Sequence, residues 1–222
     1  MASRPLRIKI CGLTDTQVLR WMEGADMVGV VVDFPPSPRS VDRARARRIL
    51  ARADSKFETV AVLVDPTIED LRRAWEELGA HLVQVHGEVP SGLTLSERSR
   101  VVPSLAVGAP PDAPGRKARD PSLYSHDPFP WIHLDAYAPQ LRGGSGQRSD
   151  WNLARRWVED YRAVSFLLGG GLTPENVRTA LEAIGPDGVD VSSGVEDRPG
   201  RKSGPRIRRF IEEVRRWEEQ NA

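Results

Sequence analysis

Leu6–Gly12 reads L-R-I-K-I-C-G. In an extended chain, Leu6, Ile8 and Ile10 share one face while Arg7, Lys9 and Cys11 share the other. The same division recurs along the chain. Val83 and Val85 stand opposite Gln84 and His86, and Ile132 and Leu134 stand opposite Trp131, His133 and Asp135. Val189 and Val191 stand opposite Asp190 and Ser192. On a sheet with one wet face, the polar set would simply face water. If helices cover the apolar set instead, the polar set points into the middle of a closed barrel. Interior charge is costly unless it is paired or used, so that placement marks a site.

The rest of the chain favours the second arrangement. Short apolar runs bounded by Gly, Pro or Asp occur at 6–11, 27–33, 57–65, 82–86, 101–107, 131–135, 164–168 and 188–191. Helical spacing occurs between them, at 14–23, 43–53, 67–78, 150–161, 174–184 and 205–220. Thr67 and Asp70 have the spacing of a capping box, and Thr173 precedes Pro174 as an N-cap precedes a first-turn proline. Residues 89–100 allow one short helix, and the Pro- and Gly-rich stretch 108–130 promises little regular structure. Eight strands alternating with helices predict an α/β fold, a (β/α)8 TIM barrel, formed as a single domain over residues 1–222. An open doubly wound sheet is the second choice, and no G-x-G-x-x-G follows the first strand to support it.

Composition narrows the function. A formal net charge of +1 gives no general reason to expect nucleic acid or a membrane surface as a partner. The opening M-A-S-R-P-L-R lacks the apolar core of a signal peptide, and no apolar run is long enough to span a bilayer. A single cysteine cannot form an intrachain disulfide and suits a reducing compartment, so a cytoplasmic location is expected. Four scattered histidines and one cysteine make no zinc set, and neither metal nor organic cofactor is expected. Monomer and homodimer remain equally open.

Three glycine-rich segments follow late strands. The first holds Gly143 and Gly144, the second Gly170 and Gly171, and the third Ser192 and Gly194. The last two stand after strands seven and eight, where barrels bind phosphate on glycine amides and a helix N-terminus. The expected substrate therefore bears a phosphate.

Taken in order, several motifs resemble those of the phosphoribosylanthranilate isomerases of tryptophan biosynthesis. They are K-I-C-G at 9–12, G-A-D-x-V-G at 24–29, S-P-R at 37–39, V-Q-V-H-G-E at 83–88 and L-D at 134–135. G-G-S-G at 143–146, G-G-L-T-P-E-N-V at 170–177, D-V-S-S-G-V-E at 190–196 and P-G-R-K at 199–202 complete the set. The resemblance implies an Amadori rearrangement of an N-ribosyl anthranilate 5-phosphate. In it, Asp135 would be the general acid at the ring oxygen and Cys11 the base at C2′, while Arg39 would bind the anthranilate carboxylate. A thiol is a poor base near neutrality unless its thiolate is stabilised. Lys9, one layer below Cys11, is expected to do this, with Asp190 of the neighbouring strand keeping the ammonium charged. Gln84 either reaches substrate or bridges the interior, and His86 either borders the site or is a satisfied structural histidine. Lys9, Gln84, His86 and Asp190 complete the expected substrate-binding set.

Some positions depart from the family pattern. Ser149 replaces a phenylalanine, Ser203 an aspartate, Leu105 a basic residue and Asp33 an apolar end of strand. His133 replaces an apolar residue on the face that carries Asp135. These leave room for a shifted substrate range, as in a related phosphoribosyl aminoaldose isomerase, or for a barrel that only binds sugar phosphate. The aminoaldose isomerase of the histidine pathway normally has an aspartate where Cys11 sits, which argues against it.

Overall fold

The computed structural model describes residues 5–108, 120–136 and 150–221. Eight parallel strands form the barrel: β1 (Arg7–Ile10), β2 (Met27–Val32), β3 (Glu58–Val64), β4 (Leu82–His86), β5 (Val101–Val107), β6 (Ile132–Ala136), β7 (Phe166–Gly169) and β8 (Gly188–Val191). They pair in chain order, and β1 closes the ring by pairing with both β2 and β8. Six helices are described: α1 (Arg43–Ala53), α2 (Ile68–Glu76), α3 (Leu95–Arg98), α4 (Trp151–Asp160), α5 (Val177–Ile184) and α6 (Gly204–Asn221). Where the other two barrel helices would stand, after β1 and β5, the chain makes 3-10 turns at Thr16–Trp21 and Pro121–Leu123.

The turn at Thr16–Trp21 corrects the helix expected over 14–23. Asp15 caps it, but its bonds run from Val18 to Asp15 and from Met22 to Leu19, one residue tighter than in an α-helix. Gly24 then turns the chain with φ +88°. The capping box at Thr67 and Asp70 forms as expected, and Thr94 with Glu97 makes a second one that caps the single turn of α3. At α5 the regular helix begins at Val177, three residues beyond Pro174. Thr173 still caps the turn ahead of it, accepting from the Glu175 amide while Asn176 accepts from its own. Two features escaped the sequence reading. Ser40–Val41 pairs beside β2, and Glu196–Arg198 forms a hairpin with Arg201–Lys202 after β8.

The alternation in L-R-I-K-I-C-G is realised. Ile8, Ile10, Val83, Val85, Ile132, Leu134, Val189 and Val191 lie in one apolar layer between barrel and helices. A smaller interior cluster holds Met27, Val60, Val62, Leu82 and Val102, with Cys11 at its edge. Above Leu82 and Val102 the same strands turn polar, at Gln84 and Ser104. The inside of the barrel therefore has an apolar base and a polar upper part.

Helix α6 seals the outer layer with Ile207, Phe210 and Val214, all fully buried. Arg215 ties it to the underside of the barrel, donating to the Leu6 and Gly24 carbonyls at 2.7 Å each and to Asp26 at 2.8 Å. Phe210→Ala should cost about 3–5 kcal/mol, the usual loss for emptying a buried aromatic site. A denaturant titration of the variant should show a lowered midpoint with an unchanged slope.

Candidate active site

The C-terminal ends of the strands bring the expected residues together. Cys11 follows β1 directly, its amide bonded to the Val191 carbonyl at 2.8 Å. Asp135 is half-buried near the end of β6, and His86, also half-buried, ends β4. Arg39 lies in the loop after β2, and Ser192 follows β8. Gly170 and Gly171 follow β7, with φ of +82° and +72°. Nothing lies within 4 Å of where a Gly171 side chain would start, so its backbone is open. The third glycine segment packs on the second. A Cβ at Gly194 would overlap the Leu172 carbonyl, so only glycine fits that approach. Gly143, Gly144 and Ser149 lie outside the described residues.

Below this rim, Lys9 and Asp190 face one another across β1 and β8. They are partners in the strand register, and Lys9 Nζ donates to Asp190 Oδ2 at 3.0 Å. Lys9 is 1% exposed and Asp190 7%. Burial works against the ammonium, but Asp190 and then Cys11 outweigh it and raise the Lys9 pKa above its ordinary value. For Asp190, burial would push the carboxyl up, yet Lys9 and His133 hold it well below the usual carboxylate range. The pair is thus ionised in the interior.

The thiol behaves otherwise than expected. Burial pushes the Cys11 thiol up, and the downward pull of Lys9 does not overcome it. Asp190 pushes the same way as burial, and Lys202 gives a further downward pull. Cys11 is therefore a thiol rather than a thiolate near neutrality in the free protein. Gly29 makes the Lys9–Cys11 approach possible. A Cβ there would sit 2.7 Å from Cys11 Sγ and 3.1 Å from Lys9 Nζ.

Arg39 is already engaged. Glu196 takes its Nε at 2.8 Å and its Nη2 at 2.7 Å, a two-pronged grip that leaves the Nη1 edge for a second carboxylate. Glu196 also accepts from Lys202 Nζ at 2.8 Å, and Lys202 reaches the Ser192 carbonyl at 3.0 Å. Burial lowers the Lys202 pKa against the opposing pull of Glu196. Glu196 and Lys202 belong to motifs whose residue types do not by themselves mark them as functional. Their signal is the acid–base pairing across the hairpin after β8, which becomes visible only once the hairpin is seen.

Gln84 and Lys9 are each 1% exposed and lie beneath the mouth. Gln84 bridges the interior: its Nε2 lies 3.0 Å from His86 Nε2, 3.2 Å from Ser104 Oγ and 3.3 Å from His133 Nδ1. His86 thus borders the site and is held from below. Among the described residues no helix is long and apolar enough to cross a membrane.

Residues 8–213 match the family model described as N-(5'phosphoribosyl)anthranilate (PRA) isomerase. The N-(5'-phosphoribosyl)anthranilate isomerase of Geobacter sp. strain M21 is 35% identical over 212 residues, covering 95% of this chain and 98% of that protein. The crystal structure of the phosphoribosyl anthranilate isomerase of Thermotoga maritima is similar with a TM-score of 0.77 at 34% identity, over 95% of this chain and 98% of that one. A phosphoribosyl anthranilate isomerase in complex with reduced 1-(o-carboxyphenylamino)-1-deoxyribulose 5-phosphate has a TM-score of 0.71 at 31% identity, over 95% and 98%.

The single cysteine makes the thiol directly readable by its thiolate absorbance in the ultraviolet. The wild-type titration should lie above that of a free thiol. Lys9→Met should move it higher still, because the stabilising charge is gone and Asp190 is left to oppose ionisation. An unchanged titration in a folded Lys9→Met protein would contradict this account of the floor.

Proposed function

The chain belongs to the N-(5'-phosphoribosyl)anthranilate isomerase family, and from that premise we propose which of its residues carry the reaction. The enzyme converts N-(5'-phosphoribosyl)anthranilate to 1-(2-carboxyphenylamino)-1-deoxyribulose 5-phosphate in tryptophan biosynthesis. Asp135 gives its proton to the furanose ring oxygen as the bond from that oxygen to C1′ breaks, leaving a Schiff base between C1′ and the anthranilate nitrogen. Cys11, as thiolate, then takes the C2′ proton. The electrons left behind form the enolamine, which tautomerises to the ketone. These steps balance as proton transfers and call for neither metal nor organic cofactor.

The observation that carries the assignment is Cys11 at the mouth above an ionised Lys9–Asp190 pair. Cys11 and Asp135 lie on strands separated by β8 and β7. A ribose between them would meet acid and base on different sides. Opening to the Schiff base delivers positive charge near C1′, which favours the thiolate at the moment it is required. Lys9 acts through Cys11 rather than on the substrate. Arg39 takes the anthranilate carboxylate on its free edge while Glu196 fixes the plane of the guanidinium. The open backbone at Gly170 and Gly171, with Ser192 and Gly194 beside it, takes the phosphate, and Gly143 and Gly144 are proposed to join them. Residues 1–222 are taken as one barrel domain. The compartment proposed is the cytoplasm, on the strength of the free cysteine.

Turnover is followed by loss of phosphoribosylanthranilate fluorescence. Asp135→Asn and Cys11→Ser should each lower kcat by about 10²–10⁴-fold, the range for removing a general acid or base. Arg39→Ala should act mainly on KM, raising it by about tenfold or more through loss of a charge-assisted contact. Turnover that survives both Asp135→Asn and Cys11→Ser would overturn the assignment of acid and base.

A further inference from the structure

His133 stands in the barrel wall with a polar partner at each end of its ring. It is 3% exposed; Gln84 and Asp190 are buried with it, and Ser104 is half-buried. Nδ1 lies 3.0 Å from Ser104 Oγ and 3.3 Å from Gln84 Nε2. Nε2 lies 3.1 Å from Asp190 Oδ2, close but off the line of a good hydrogen bond. When the Gln84 amide or the Ser104 hydroxyl turns a hydrogen to Nδ1, that ring nitrogen accepts, and a neutral ring then carries its hydrogen on Nε2, aimed at Asp190. The same carboxylate oxygen receives Lys9 Nζ. A polar chain therefore runs from His86 at the mouth through Gln84, His133 and Asp190 to Lys9 and Cys11, crossing β4, β6, β8 and β1.

The backbone has been cleared for this ring. A Cβ at Gly169 would overlap His133 Nε2, so any side chain at that position would evict the imidazole. Leucine or valine in place of His133 would fill the wall without leaving a polar atom to satisfy, and His133 itself brings two. Its presence calls for a purpose beyond packing.

We propose that His133 is a positioning residue for the isomerisation, sharing the charge of Asp190 so that the Lys9 ammonium keeps its hold on Cys11. The proposal rests on the reading of Cys11 as the base. Asp190 has opposite effects on the thiol. It keeps Lys9 charged, and it also opposes the thiolate directly. A donor from His133 draws off part of the carboxylate charge, which lessens the second effect, and it helps keep Asp190 ionised, so Lys9 retains its anionic partner. The titratable groups around the chain are Lys9, Cys11 and Asp190 in the floor, Asp135 above His133 on the same strand, His86 on β4, and Lys202 with its partners Glu196 and Arg39 beyond β8. His86 meets His133 edge-on, with ring centroids 5.8 Å apart.

His133→Leu and His133→Gln test this, since a glutamine amide can return a donor close to Nε2. In His133→Leu the thiolate absorbance should appear at higher pH than in wild type. kcat near neutrality should fall by about tenfold with little change in KM, and should recover as pH rises, because only the thiolate fraction has changed. His133→Gln should restore both the titration and kcat. A folded His133→Leu protein with the wild-type titration and pH profile would overturn the proposal. So would a loss of activity that glutamine does not rescue and high pH does not recover. The absorbance does not depend on turnover, so it reads His133 even if Cys11→Ser proves active and the base has to be sought elsewhere. Should His133→Leu fail to fold, nitrogen-15 NMR of the wild-type histidines decides. The hydrogen belongs on Nε2, and finding it on Nδ1 would sink the idea.

Discussion

An ammonium and a carboxylate held 3.0 Å apart inside the barrel, each almost wholly out of water, set the terms for everything above them. Taking two such charges out of water costs several kcal/mol per ion, and their attraction rarely returns more than that. Packed apolar side chains would fill the space at least as well for stability. The Lys9–Asp190 pair is therefore poorly explained as a brace for the fold. It is well explained as a fixed source of field beneath a thiol, since a charge locked into a rigid wall needs no rearrangement when the reacting charge forms.

Several otherwise unrelated features follow from that pair. Gly29 has no side chain because one would strike both Lys9 and Cys11, and Gly169 has none because one would strike His133. Gly12, with φ +74°, is bare where a Cβ would sit 2.7 Å from Arg39 Cδ and 2.9 Å from Ser192 Oγ. The three glycines clear space at the floor, in the wall and at the rim. Charge is balanced in the interior, and the mouth keeps one positive charge over. Asp190 answers Lys9 in the interior, and Glu196 answers both Arg39 and Lys202 at the mouth.

Much of this could be read from the sequence because a strand reports its two faces residue by residue. Ile8 and Ile10 against Lys9 and Cys11, repeated at Gln84, His133 and Asp190, were enough to imply a closed barrel with a polar inside. The pairing of Lys9 with Asp190 followed from strand adjacency alone. What could not be read depends on contacts between loops. The grip of Glu196 on Arg39 joins residues 157 positions apart through a hairpin that carries no apolar alternation. The tight turn at Thr16–Trp21 mimics helical spacing because only Val18 needs burial there. The pull of Lys9 toward the thiolate is real but is outweighed, for a related reason. Lys9 is visible as a charge in the sequence, but the depth at which Cys11 sits is not, and depth dominates.

A thiol that stays protonated at rest is not at odds with its use as a base. Lowering a thiol's pKa increases the fraction present as thiolate, yet it weakens each thiolate as a proton acceptor, so the best value lies near the working pH rather than far below it. Burial holds the proton on Cys11 while Lys9 and Lys202 oppose burial, and the balance leaves the thiol responsive to whatever charge arrives above it. The substrate supplies that charge only after its ring has opened. In this arrangement the acid step prepares the base step, and the strength of Cys11 is drawn on when there is a C2′ proton to remove.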